Sequence, residues 1–151
     1  MKQRLKATPA SYLILKQKNE ILMHLRQNSG YMDGYYSFVA GHVEPLEGPT
    51  GCIIREAKEE AGIKIIKEDL KLVHTMYKPL KGNERIDFFY LCEKWSGDII
   101  NCEQEKCGGL DFFSISQLPQ NTIPYIKHVI KHVFDKSAHF SEYFIEDANK
   151  I

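Results

Sequence analysis

The sequence predicts one domain of mixed α/β or α+β class, and three observations carry that prediction. At 151 residues the chain is the size of one domain, which typically runs to roughly 100–200 residues. Its residues are 43% apolar and 11% aromatic, enough to build a core. Strand-sized apolar runs interleave with two segments of helical period, the pattern of sheet and helix layered together.

Taken in order, residues 12–15 and 21–25 are strand-like runs, and Lys18 and Asn19 between them suit a tight turn, so the two read as a hairpin. Residues 28–36 form a loop rich in Gly and Tyr, and 37–40 is short and extended. Residues 50–61 read as a helix, with Pro49 at the first helical position and Gly62 just past the end. Residues 70–77 are strand-like and 78–83 a turn; 86–95 is a strong buried strand and 110–113 another. Over 122–136 the apolar residues at 126, 129, 130, 133 and 134 make a helical stripe.

Composition narrows the function. Twenty Lys and Arg against twenty Asp and Glu give a net charge of zero and a pI near 7. That weighs against a nucleic-acid polymer as partner, whose footprint is excess positive charge, but not against a small nucleotide in a pocket. No apolar run nears the ~18 residues of a membrane span, and the basic start, Met1 to Lys6, is followed by no signal-peptide core. The four cysteines read as reduced thiols in a cytoplasmic protein; Cys102 and Cys107 alone make a weak zinc signal. A homodimer is left open.

The informative segment is 41–63. Glu56, Glu59 and Glu60 lie at i, i+3 and i+4 of the first helix and project from one face, while Ile54, Ala57 and Ala61 lie on another. Like charges at i,i+4 cost a helix roughly 0.2–0.5 kcal/mol, so three carboxylates on one face point to a cation between them. Carboxylate oxygens suit hard ions such as Mg²⁺ or Mn²⁺. Arg55 reaches Glu59 at i,i+4 and can pair with Glu47, its fork orienting the carboxylates. The segment holds five acids, Glu44, Glu47, Glu56, Glu59 and Glu60, against Arg55 and Lys58. The plain alternative is a solvated acidic face.

The same segment resembles the Nudix box, G-x5-E-x7-R-E-U-x-E-E-x-G-U with U apolar: Gly41, Glu47, Arg55, Glu56, Ala57, Glu59, Glu60, Gly62 and Ile63 fill every constrained position. The resemblance implies a single Nudix hydrolase domain over 1–151, folded as an α/β/α sandwich around a mixed sheet. It implies Mg²⁺- or Mn²⁺-dependent hydrolysis of a nucleoside diphosphate linked to another group. As in MutT-type members, Glu56 would be base or metal ligand, Glu59 and Glu60 metal ligands, and Ala40 or Gly41 would lend a carbonyl. Aligned from Trp95, a further metal carboxylate falls on Glu103, with Glu105 the runner-up. Arg26, Arg85 and Asn121 match purine-contacting positions, Glu44 joins the substrate side, and Glu47 with Arg55 supports the box. A nucleoside triphosphate, possibly carrying an oxidised purine, would give monophosphate and pyrophosphate.

The chain departs from the family pattern in two places. Val39-Ala40-Gly41 stands for Pro-Gly-Gly, and Leu46 lies where a glycine is expected. Pro79 lies where ADP-ribose pyrophosphatases often carry a proline, which keeps ADP-ribose and other nucleoside-diphosphate-X substrates as the alternative; an ordinary turn proline explains it as well. Tyr31, Tyr35 and Tyr36 can flank a base or simply pack their loop. Two rival functions are a non-catalytic nucleotide-binding Nudix module and a metal site on His128 and His132, an i,i+4 pair expected on a solvated face.

Overall fold

A computed structural model describes residues 2–144. Eight strands and two helices follow in the order β1 Ala7–Gln17, β2 Glu20–Arg26, β3 Tyr36–Ser37, β4 Val39–His42, α1 Pro49–Ala61, β5 Leu70–Lys78, β6 Glu84–Cys92, β7 Cys107–Ser114, α2 Pro124–Phe134 and β8 Phe140–Glu142. A short 3-10 turn, Lys67–Asp69, leads into β5.

β1 organises the sheet. It runs parallel to β6 from Ala7↔Glu84 to Leu15↔Cys92 and antiparallel to β4 from Ala10↔His42 to Leu13↔Val39. The expected hairpin with β2 survives only at Lys16↔Ile21 and Gln17↔Glu20. Beyond that point β2 leaves to pair with β7 and β3, while β5 pairs with β6 and β8. The sheet is therefore mixed, and its two halves splay at the β1–β2 turn. Pro9 is tolerated inside β1; its carbonyl accepts the Val43 N–H at 3.0 Å.

Alternation along β1 explains the layering, because successive side chains point to opposite faces. Leu13 and Leu15 join Ile53, Ala57 and Ala61 of α1 on one face. Tyr12 and Ile14 join Ile126, Val129 and Ile130 of α2 on the other. A central mixed sheet flanked by two helices is the expected α/β/α sandwich. No helix among the described residues is long and apolar enough to cross a membrane.

The helix boundaries have local causes. α1 opens on Pro49 and closes at Gly62, whose φ of 69° is left-handed; the Ile63 N–H reaches back to the Ala57 carbonyl at 3.4 Å, a 6→1 closure. α2 is shorter than the apolar stripe, because Thr122 and Ile123 are spent on the β3 edge, where Ile123 N–H bonds Tyr36 O at 3.0 Å. The strand expected at 86–95 ends at Cys92, and Trp95 packs against Phe112 instead.

Candidate active site

The approach to α1 is built around Gly41. A Cβ there would overlap the Glu56 side chain, so glycine lets that carboxylate lie against β4. Arg55 then organises the acids. Its Nε and Nη2 grip both oxygens of Glu47 at 2.8 and 3.0 Å, and Nη1 donates to Glu56 Oε1 at 2.8 Å and Glu59 Oε2 at 3.2 Å. Nη2 also bonds the His42 carbonyl at 3.1 Å. Glu44 sits on the rim, 3.7 Å from Arg55 and exposed. Its N–H bonds Glu47 Oε1, which closes the loop through Leu46, the residue in the expected glycine place, held at φ 63°.

The electrostatics divide the acids into two kinds. The Arg55 fork holds Glu47 down to about 2, and Glu47 in turn raises the guanidinium. Burial pushes Glu60 up to about 8, with the neighbouring Glu56 adding to the rise and a hydrogen bond from the Ala40 N–H opposing it. Burial also raises Glu56, against the pull of Arg55. Glu103 is half-buried and adds to the rise of both Glu56 and Glu60. Glu105 is exposed, and its carbonyl instead accepts Asn28 Nδ2 at 2.9 Å.

Desolvated carboxylates that oppose one another's ionisation are a donor set that fits a hard divalent ion. As they lie, no three His, Cys, Asp or Glu side chains among the described residues enclose a metal position.

A cleft of about 580 Å³ opens beside Ala40 and Gly41. Arg26 and Arg85 both line it, as does Tyr31, over whose ring the Arg26 guanidinium sits at 5.5 Å. Tyr35 and Tyr36 pack against the core instead, Tyr36 edge-on to Phe113. Asn121 does not line the cleft; its Nδ2 donates to Gly34 O at 2.8 Å and clasps the tyrosine loop. Pro79 ends β5, and a turn closed by Asn83 N–H to Leu80 O follows it.

Sequence reasoning missed the cleft floor. Lys78 and Asp87 form a buried ion pair at 2.6 Å, and Lys78 Nζ lies 3.9 Å over the Tyr125 ring. The signal was present: His74, Met76 and Lys78 alternate inward along β5, so the lysine belongs to the buried face and not to a turn. The other candidate sites dissolve into packing. His128 and His132 are half-buried, with His132 stacked on His74 at 5.6 Å. Cys107 is buried and bonds Gly109 O, and Cys102 is a free, exposed thiol.

The chain matches the NUDIX domain family over residues 6–133 and belongs to it. Its architecture is consistent with hydrolysis of phosphoanhydride bonds. Curated relatives include the NAD-capped RNA hydrolase NudC of Pseudomonas fluorescens (strain Pf0-1), 23% identical over 128 residues, covering 85% of this chain and 43% of the relative. NudC of Chromobacterium violaceum is 28% identical over 131 residues, covering 85% and 47%. The chain thus spans less than half the length of these relatives. Among solved structures, the MutT NUDIX hydrolase of Burkholderia pseudomallei aligns with TM-score 0.78 at 21% identity, over 85% of this chain and 99% of that one. A UDP-X diphosphatase aligns with TM-score 0.66 at 17% identity, over 92% and 68%. These structures share the fold.

One expectation is overturned here. The neutral net charge weighed against a nucleic-acid polymer, yet the curated relatives are named as hydrolases of NAD-capped RNA. Net charge sums the whole surface, whereas the cleft is lined by the guanidinium groups of Arg26 and Arg85 and by no carboxylate.

Proposed function

We propose that this chain is a Mg²⁺- or Mn²⁺-dependent pyrophosphatase acting on a nucleoside diphosphate linked to a second group, such as a dinucleotide cap on RNA or ADP-ribose. The observation that carries it is the pair of desolvated carboxylates, Glu56 and Glu60, beside the glycine-floored mouth of a cationic cleft. The NudC relatives favour the linked diphosphate over a simple triphosphate. Four free cysteines agree with a cytoplasmic setting.

Glu59, Glu60, Glu103 and a carbonyl of Ala40 or Gly41 would hold the metal, which would supply charge neutralisation at the phosphates and acidify a water. Glu56 has one oxygen fixed by Arg55, leaving the other to accept the proton of the attacking water. The water oxygen joins phosphorus as the bridging P–O bond breaks, giving two phosphorylated products. Arg26 and Arg85 neutralise the substrate, and Tyr31 offers a stacking face. Glu47 and Arg55 keep the box in register.

The test is a panel of ADP-ribose, NAD, NAD-capped RNA and nucleoside triphosphates with Mg²⁺ or Mn²⁺, following monophosphate and pyrophosphate separately. Cleavage of the linked diphosphates supports the reading. Pyrophosphate release from triphosphates alone returns it to the triphosphate class. Full Mg²⁺-dependent activity in Glu60→Gln refutes the assigned centre.

A further inference from the structure

The Lys78–Asp87 pair is an expensive thing to bury. Lys78 is 3% exposed and Asp87 0%, and desolvating two such charges offsets much of their attraction, so an apolar pair would serve stability as well. The ammonium nevertheless lines the cleft, while Asp87 lies behind it. Nζ lies 2.6 Å from Asp87 Oδ2 as an ion pair, and the ammonium sits over the Tyr125 ring. No further acceptor for Nζ is found among the described residues. Beside it, Arg85 Nε is buried with no hydrogen-bond partner. The cleft wall thus carries donors, and tyrosine rings from Tyr12, Tyr31 and Tyr125 frame them.

We propose that Lys78 is a specificity-determining residue that donates a hydrogen bond to a carbonyl oxygen on a planar ring of the substrate, with Asp87 positioning it. The inference rests on the cleft being the substrate site. Two features select a neutral oxygen over a phosphate. Asp87 at 2.6 Å offsets the ammonium charge, so Lys78 offers a hydrogen bond with little net charge of its own. The aromatic frame suits a flat ring. Rings with such an oxygen are keto bases, as in guanosine and inosine, and the carboxamide of nicotinamide; adenine presents an amino group there instead.

The experiment compares wild type, Lys78→Met and the double variant Lys78→Met/Asp87→Leu. Losing only the lysine strands a buried carboxylate, whereas removing both charges spares the fold. Thermal melting reads stability. Calorimetry without metal reads binding of guanosine, inosine, adenosine and nicotinamide-riboside monophosphates, so this result stands apart from whether the protein hydrolyses anything. Where there is turnover, KM and kcat are measured for the corresponding linked diphosphates.

The proposal expects the double variant to melt like wild type and to bind the carbonyl-bearing rings about tenfold more weakly or worse. KM would rise with kcat little changed, and adenosine monophosphate would bind as before. The guanosine and nicotinamide arms show which source of the carbonyl the cleft takes. A double variant that melts like wild type and keeps its ring discrimination overturns the proposal. So does equal weakening for all rings together with lost competition by inorganic phosphate, which would make Lys78 a phosphate contact.

Discussion

Arg55 is where the box is decided. It binds Glu47 through two parallel hydrogen bonds and also reaches Glu56 and Glu59. A lysine has a point charge and cannot make the paired contact, so Arg55→Lys should lower Mg²⁺-dependent turnover even though charge is conserved. Gly41→Ala is a second test, the addition of one carbon. Its Cβ displaces the Glu56 carboxylate, and activity should fall far more than the melting temperature does.

The acids also set opposite pH responses in metal-free protein. Glu47 is depressed from 4.5 to about 2, so its contribution is present above pH 4.5 and is lost as pH falls toward 2. Glu60 is raised from 4.5 to about 8. The folded state therefore holds a proton there that the unfolded state gives up, and stability falls as pH rises from 4.5 to 8. Urea melts of apo protein against pH should show that decline, and Glu60→Gln should flatten it. The carboxylates were legible as residues, because spacing alone put them on one helical face. Their environments were not, since burial of Glu60 depends on the Glu103 loop and on β4, distant in sequence.

Among the elements, α1 was read almost to its ends because its signals are local, with Pro49 opening it and Gly62 closing it. Gly62→Ala forces φ 69° on a side chain and sets its Cβ 3.2 Å from Cys102 Sγ. The left-handed backbone alone costs roughly 1–2 kcal/mol, so a downward shift of that order in urea melts is expected. An element that tertiary pairing alone defines was missed. β8 is three residues held by its parallel partner β5, and nothing in its sequence announces it. Asn121, matched by motif to a base-reading position, is exposed outside the cleft lining and gives its Nδ2 to Gly34 O.

At the scale of the molecule, the α+β class followed from interleaved periods, and the sandwich from the motif resemblance. What no pattern revealed was that β1 feeds both faces. Leu15 is fully buried under α1, and Leu15→Ala should cost about 2–5 kcal/mol in urea unfolding. The same sheet brings Arg26 and Arg85, from β2 and β6, to one cleft, a local positive charge which net charge averaged away. The central claim is that α1 carboxylates at the mouth of this cleft drive phosphoanhydride hydrolysis. It is tested most directly by Glu56→Gln, assayed with Mg²⁺ on ADP-ribose and NAD-capped RNA beside wild type. The account predicts active wild type and a loss of about a hundredfold or more in kcat at an unchanged melting temperature. Turnover by Glu56→Gln equal to wild type would contradict it.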